Sequence, residues 1–265
     1  MNVSVIIPVH NDVRIERCVK SIDEAVEVIA VMNNPTKDVD DIVRKLGIKS
    51  VTVPQQNLGI CYNKGIEAAF YDFVLFMDSD CIFEPGTIAK MYRAKEAKPD
   101  ALIRGYVVFQ ENSIPSRITR LAREVNTSNV PYAFIPPLLI DKGVFGRIDD
   151  GYRFAEDVGW CVDYEFERRR RKAGIELIHL RDARILHDAL PIMADFRSSF
   201  NYGTGKRIRH ERTGEKVNFL DVLRDPIIRG YREKGLIIAL YLALWKTVLY
   251  SGYYAQALGL YKTKR

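Results

Sequence analysis

Cysteine is scarce and scattered. Cys18, Cys61, Cys81 and Cys161 stand apart with no short paired spacing, which argues against a zinc site or a disulfide framework and favours a reducing compartment. No charged leader or cleavage site precedes the opening run Val3-Ser4-Val5-Ile6-Ile7-Pro8, so no signal peptide is expected. One long apolar stretch, 236–261, carries a single charge, Lys246. Neither sign of charge is in great excess. The net +6 suits an anionic partner such as a nucleotide, a phospholipid surface or a nucleic acid, without choosing among them. With 265 residues, 47% of them hydrophobic, the chain can bury a full core, and one main domain with an appendage is the expectation.

The first third alternates strand and helix signals. Residues 3–7 read as a strand ended by Pro8, with His10-Asn11-Asp12 supplying a turn and cap for a helix over 14–25. A strand over 27–32 ends at Asn33-Asn34-Pro35-Thr36, a short helix follows over 38–46, and a third strand over 49–53. After Asn57-Leu58-Gly59 comes a helix over 61–71, feeding the apolar run Phe73-Val74-Leu75-Phe76-Met77. That alternation predicts a mostly parallel sheet with helices on both faces. The apolar run reads as a strand buried on both sides, and it stops at Asp78-Ser79-Asp80. Carboxylates at the carboxyl end of a buried strand lie where open α/β sheets place ligands, and two aspartates so spaced can hold a divalent cation. Aspartate and serine are also ordinary turn formers, so both readings stand at this point.

Further on, a helix is expected over 83–98, entered through Glu84-Pro85-Gly86, and a strand over 102–110. Arg117, Arg120 and Arg123 make a basic helical face whose simplest reading is a solvated stripe. The proline-rich, aromatic stretch 130–140 fits a loop and an edge strand lining a cleft. The cations of 168–172 suit a helix carboxyl end. Phe200-Asn201-Tyr202-Gly203-Thr204-Gly205 followed by Lys206, Arg207 and Arg209 reads as a glycine-rich cationic loop, either closing over a pyrophosphate or acting as a surface hinge.

Taken together, Val-Ser-Val-Ile-Ile-Pro-Val-His-Asn, the Asn33-Asn34 turn, Asn57-x-Gly59, Asn63-x-Gly65, Asp78-Ser79-Asp80, Glu156-Asp157, Ala173-Gly174 and His187 resemble the family 2 glycosyltransferases. The resemblance runs over about 1–190. It implies a GT-A fold, Rossmann-like with a mostly parallel central sheet flanked by helices, and a helical C-terminal extension over 191–265. It further implies an inverting, metal-assisted transfer of a sugar from a nucleoside diphosphate sugar (UDP, GDP or dTDP) to a hydroxyl acceptor such as a lipid-linked or cell-envelope glycan. Asp78, Asp80 and His187 then fall in the positions that hold Mn2+ or Mg2+. Pro8, His10, Asn11, Asp12, Asn33, Asn34, Asn57, Gly59, Asp78 and Ser79 fall along the nucleotide-sugar site. The base is expected at Asp157 with Glu156 beside it. Counted back from Gly174, the same role falls on Asp163.

No nucleic-acid partner is expected. Sugar-1-phosphate nucleotidyltransferases are the nearest rival enzymes, but they carry a glycine-rich basic loop after the first strand, and Val9-His10-Asn11-Asp12-Val13 is not one. A non-catalytic module binding nucleotide sugar or membrane is the other alternative. For 236–261 three readings stand: an anchor on an anionic membrane surface, a packed or dimer-forming helix, and a true span. The first would put the protein in the cytoplasm, peripheral to the membrane.

Overall fold

The structure, a computed structural model, describes residues 1–54, 57–111, 113–148, 153–214 and 219–261. The first half follows the expected alternation: β1 (Val3–Val9), α1 (Ile15–Lys20), β2 (Glu27–Asn33), α2 (Lys37–Leu46), β3 (Lys49–Val53), α3 (Leu58–Ala68) and β4 (Phe73–Phe76). There follow β5 (Cys81–Phe83), α4 (Thr87–Ala97), β6 (Leu102–Gln110), α5 (Ile114–Arg123) extended by a π-helical turn over Glu124–Ser128, β7 (Leu138–Asp141), α6 (Val144–Arg147) and α7 (Val162–Lys172). The chain ends with β8 (Leu177–Asp188) and the helices α8 (Ile192–Thr213), α9 (Phe219–Lys234) and α10 (Leu236–Ala257).

The strands form one sheet in the order β3-β2-β1-β4-β7-β6-β8-β5. β1 pairs in parallel with both β2 and β4, and β2 with β3. Every residue of β1 is buried, because helices cover both faces and alternate side chains need apolar partners on each. Ile6 and Phe76 pack toward Tyr62, Phe154 and Phe166 on one side. On the other, Ile7, Leu75 and Met77 meet Met91 and Ile103. The expected edge strand in 130–140 is instead interior: β7 lies between β4 and β6 and runs antiparallel to both. The prolines Pro131, Pro136 and Pro137 all precede it, which leaves Leu138 to Asp141 with the amides that two ladders require. The helix expected from residue 83 begins at Thr87, because residues 81–83 extend as β5 and Gly86 takes a φ of 72°. β8, unanticipated from the sequence, brings His187 opposite Cys81.

The glycine-rich stretch is not a loop. It lies inside the continuous helix α8, and its glycines serve close packing. A Cβ on Gly203 would fall 1.8 Å from the Leu249 carbonyl oxygen of α10, and one on Gly252 would fall 2.1 Å from that of Phe200. The two helices therefore touch backbone to backbone, which no larger residue permits. A Cβ on Gly205 would meet the Trp160 carbonyl oxygen at 2.0 Å, so α8 also leans on the entry to α7.

In the first basic run Arg117 is exposed as expected while Arg123 is drawn inward, and the second run closes α7 as expected, with two of its arginines buried in ion pairs. Arg123 is bound to Asp195 at 2.5 Å and lies over the rings of Tyr202 and Trp245. Arg169 pairs with Glu165 at 3.0 Å and Arg170 with Glu167 at 2.8 Å, all four buried. α10 is long and apolar enough to cross a membrane, with a mean hydropathy of 1.4 over its most apolar window. One face, including Ile238, Leu242, Trp245 and Leu249, is buried in a cluster with Ala122 and Val125, while Leu236, Ile237, Leu240 and Leu244 form an exposed row.

Candidate active site

The carboxyl ends of β1, β2 and β4 converge. Asp78 lies two residues past the end of β4, and Asp80 stands at the entry to β5. The β5–β8 ladder carries His187 to Asp80, with Nε2 3.4 Å from Oδ2. His187 Nδ1–H donates to the Asp188 carbonyl at 2.6 Å, a bond that orients the ring and leaves Nε2 facing the carboxylate. Asp80 also receives Arg14, whose Nη2 is 3.4 Å away and which holds Asp12 at 2.6 Å. Burial pushes the Asp80 carboxyl up, but the hydrogen bond and charge of His187 and the charge of Arg14 outweigh it and hold the group at about 2. Asp78 has no hydrogen bond of that kind: burial first, then the neighbouring Asp80, raises it to about 7, and the charge of His187 offsets only part of the rise.

Asp80, Cys81 and His187 bring their donor atoms within 4.8 Å of one another. Cys81 is fully buried and its thiol is held well above the usual range, first by burial and then by the two aspartates, so it stays protonated.

The nucleotide-side residues divide. Pro8 is buried within β1 beside Val31. His10 Nδ1 contacts the carbonyl oxygens of Asn33 and Asn34 at 2.7 and 2.8 Å, fixing the turn in which Asn34 takes a φ of 47°. Asn33 is buried and its Oδ1 has no hydrogen-bond partner among the described residues. Asn11 is exposed, and Ser79 is half-buried between the two aspartates. Asn57 and Gly59 brace another segment: Asn57 caps α3 and donates to the Glu156 carbonyl, and a Cβ on Gly59 would lie 2.2 Å from the Ala155 carbonyl oxygen. Asn63 completes that clamp with bonds to Phe154 and to the Glu156 carboxylate at 2.8 Å.

The two candidate bases sit in different surroundings. Asp157 is exposed and ion-paired with Arg212. Asp163 lies in the first turn of α7 and accepts the Tyr164 amide at 2.8 Å. A carboxylate at a helix N-terminus is normally favoured, but burial outweighs the amides and pushes Asp163 up to about 6. Its charge reaches Asp78, where it adds to the upward shift. Asp163 also faces a chamber of about 490 Å3 between the sheet side and the C-terminal helices, walled by Tyr132, Phe134, Tyr202 and Trp245 among others. Sequence reasoning missed Arg14, Asp188 and this chamber. Arg14 carries no motif of its own, and the chamber exists only once α8 and α10 fold back over α7.

Comparison with known proteins fits this geometry. The family model "Glycosyl transferase family 2" matches residues 4–151. The putative glycosyltransferase EpsH of Bacillus subtilis strain 168 is 30% identical over 121 residues, and that alignment spans 42% of this chain but only 35% of EpsH. Among solved structures, residues 1–349 of Staphylococcus aureus TarS superpose with a TM-score of 0.56 at 16% identity, covering 99% of this chain and 93% of that one. The same TarS fragment has been solved with UDP and with UDP-GlcNAc. Glucosyl-3-phosphoglycerate synthase of Mycobacterium tuberculosis, solved with Mn2+, UDP and phosphoglyceric acid, gives a TM-score of 0.60 at 17% identity, over 82% of this chain and 80% of that one. The structural likenesses establish the GT-A architecture, and because the family model spans more than half of the 265 residues, the chain belongs to glycosyl transferase family 2.

Proposed function

We propose that the protein transfers a sugar from a uridine diphosphate sugar to an acceptor hydroxyl with inversion at the anomeric carbon. The observation that carries this reading is Asp163, a half-buried carboxyl within electrostatic reach of Asp78 on one side and lining a chamber on the other. A base must touch the acceptor while the donor sits on the acidic strand end, and Asp163 is the carboxylate common to both spaces. Its position supports it over Asp157, which faces solvent in an ion pair.

At the donor end, Asn33 offers a buried amide oxygen that has no hydrogen-bond partner among the described residues, suited to the N3–H of uracil, while its NH2 can donate to a ring carbonyl. Cytosine has an acceptor at N3 in place of that N–H, so it can pair with Asn33 only if the amide turns over. Pro8, His10, Asn11 and Asp12 border the same turn, and Ser79 lies toward the diphosphate. Asp78, Asp80 and His187 would hold a divalent cation, Mn2+ or Mg2+, which when bound supplies positive charge to the departing diphosphate. Asp163 accepts the acceptor hydroxyl's proton as that oxygen attacks the anomeric carbon from the face opposite the leaving group. Arg14 holds Asp12 and Asp80 in place.

The exposed row Leu236, Ile237, Leu240 and Leu244, with exposed Arg232 just before it, suits the surface of an anionic membrane. A lipid-linked acceptor and a peripheral place on the cytoplasmic face follow from it, in keeping with four free cysteines. A homodimer through the same row is the competing use.

Thermal melting tests the donor half. UDP with Mn2+ at a hundred times its Kd should raise the Tm by about 5 °C or more. GDP and dTDP should do less, CMP nothing, and Asn33→Ala should lose most of the UDP shift. If no nucleotide moves the Tm with or without metal, the donor reading is wrong.

A further inference from the structure

The chamber beside Asp163 has a charge that sugar hydroxyls alone do not call for. Among the described residues its lining includes Arg123, Lys206, Arg209, Arg229 and Lys246, against the carboxylates Asp163 and Asp225. Arg123 is held by Asp195 at 2.5 Å and Arg229 by Asp225 at 3.0 Å. Lys206 donates to the Tyr250 hydroxyl at 3.0 Å and Arg209 Nη2 lies 2.9 Å from His210 Nε2, and with Lys246 they approach the chamber from two helices. Lys206 and Arg209 sit one turn apart on α8, and Lys246 faces them from α10, its amine 5.2 Å from the centre of the Trp245 ring. Arg209 lies over the Tyr164 ring at 4.5 Å, beside Asp163.

Two titratable groups in the lining report the resulting field. Lys246 is drawn down to about 7, first by burial and then by Lys206 and Arg229. His210 is drawn down to about 4, first by burial and then by Arg209 and Lys206. A half-buried ammonium placed beside other cations is costly unless something anionic joins it. Nothing in the packing of α10 requires an amine there, because the neighbouring buried positions are Trp245 and Leu249.

We propose that the chamber is the acceptor subsite and that it selects an acceptor carrying a phosphate ester, bound by Lys246 of α10 together with Lys206 and Arg209 of α8, with the reacting hydroxyl turned to Asp163. This deepens the transferase reading and rests on it. The volume of about 490 Å3 lies within the range of small-molecule sites, and the aromatic walls give a sugar ring faces to lie against. The charged oxygens of one phosphate accept from cations arriving from two directions more strongly than a neutral hydroxyl does. The ester can belong to a soluble sugar phosphate or to the headgroup of a lipid-linked acceptor. The chemistry at the cations is the same.

The test uses full-length protein with the donor site filled by UDP and Mn2+, so that added phosphate ester has only the chamber to enter. Glycerol 3-phosphate is titrated into wild type, Lys246→Met, Lys246→Arg and Lys206→Gln, with vesicles of phosphatidic acid in phosphatidylcholine as a second arm. The expected result is at least tenfold weaker binding in Lys246→Met, partial recovery in Lys246→Arg, weakening in Lys206→Gln, and unchanged UDP affinity throughout. Methionine keeps the length and apolar stem of lysine, so the Tm of Lys246→Met should equal or exceed that of wild type. Lys246-dependent binding of the soluble ester identifies a free sugar phosphate, and Lys246-dependent binding confined to vesicles identifies a lipid headgroup. Binding in neither arm, or binding equally strong in Lys246→Met, overturns the proposal while leaving the donor reading intact. A failure of UDP to bind the wild type counts against the donor reading, and the glycerol 3-phosphate titrations of wild type and Lys246→Met repeated without UDP keep the chamber result readable in that case.

Discussion

Asp163→Asn is expected to lower sugar transfer by about a hundred- to ten-thousand-fold, the span over which a general base contributes, with UDP affinity unchanged. Asparagine keeps the shape and the acceptor that bonds the Tyr164 amide but cannot take a proton at neutral pH. In the wild type, kcat should rise with pH through about 6, where the Asp163 carboxyl ionises, and the rise should vanish in the variant. The same substitution should raise stability. A carboxyl whose folded-state value lies above its unfolded one binds more protons when folded, so stability falls as pH rises from about 4 to about 6 and the cost persists above that window. A shift of about two units corresponds to about 2–3 kcal/mol, which Asp163→Asn should recover at pH 7.5 and not at pH 3.5, measured by urea denaturation. Asp157→Asn, on an exposed side chain paired with Arg212, should change kcat less than threefold. The opposite pattern, a large loss at Asp157 and little at Asp163, would return the base to Asp157.

Asp80→Ala should abolish the metal dependence of nucleotide binding. Asp80 is the carboxylate on which Arg14 and His187 converge, and its removal takes away the charged oxygens that a divalent cation needs most. Loss of an orienting neighbour alone costs 10–100-fold in metal affinity, so loss of the ligand should weaken Mn2+ binding by at least a hundredfold, read by titration of the ion followed by paramagnetic resonance. The fold should persist, since Arg14 retains Asp12 at 2.6 Å and Asp188 at 3.8 Å. Mn2+ affinity that survives in Asp80→Ala would move the cation, or dispense with it.

Much of the donor half could be read from local pattern. The strands and helices up to residue 76 are short, periodic and punctuated by turn residues, and the apolar run before Asp78 announced a buried strand, which β4 is. What escaped depended on partners distant in sequence. β8 is interrupted by the exposed Arg181-Asp182 pair and reads as no strand until β6 and β5 flank it. Gly203 and Gly205 carry the local signature of a loop, yet they lie in a helix because the Leu249 and Trp160 backbones press against them. Asp157 and Asp163 look alike as residues near a helix start, and only burial against the chamber separates them. Lys246 in an apolar helix read as a fault in a membrane anchor, whereas it faces the chamber while Leu240 and Leu244 face outward.

The most direct measurement needs no acceptor. Protein with Mn2+ is given the α-linked UDP-sugar that raises its Tm most, and the sugar released to water is followed by proton NMR before it mutarotates. Attack from the face opposite the diphosphate, with Asp163 taking the proton from water in place of the acceptor, predicts that the β anomer appears first and that Asp163→Asn suppresses it. Initial release of the α anomer, or release undiminished in Asp163→Asn, would contradict direct displacement assisted by Asp163.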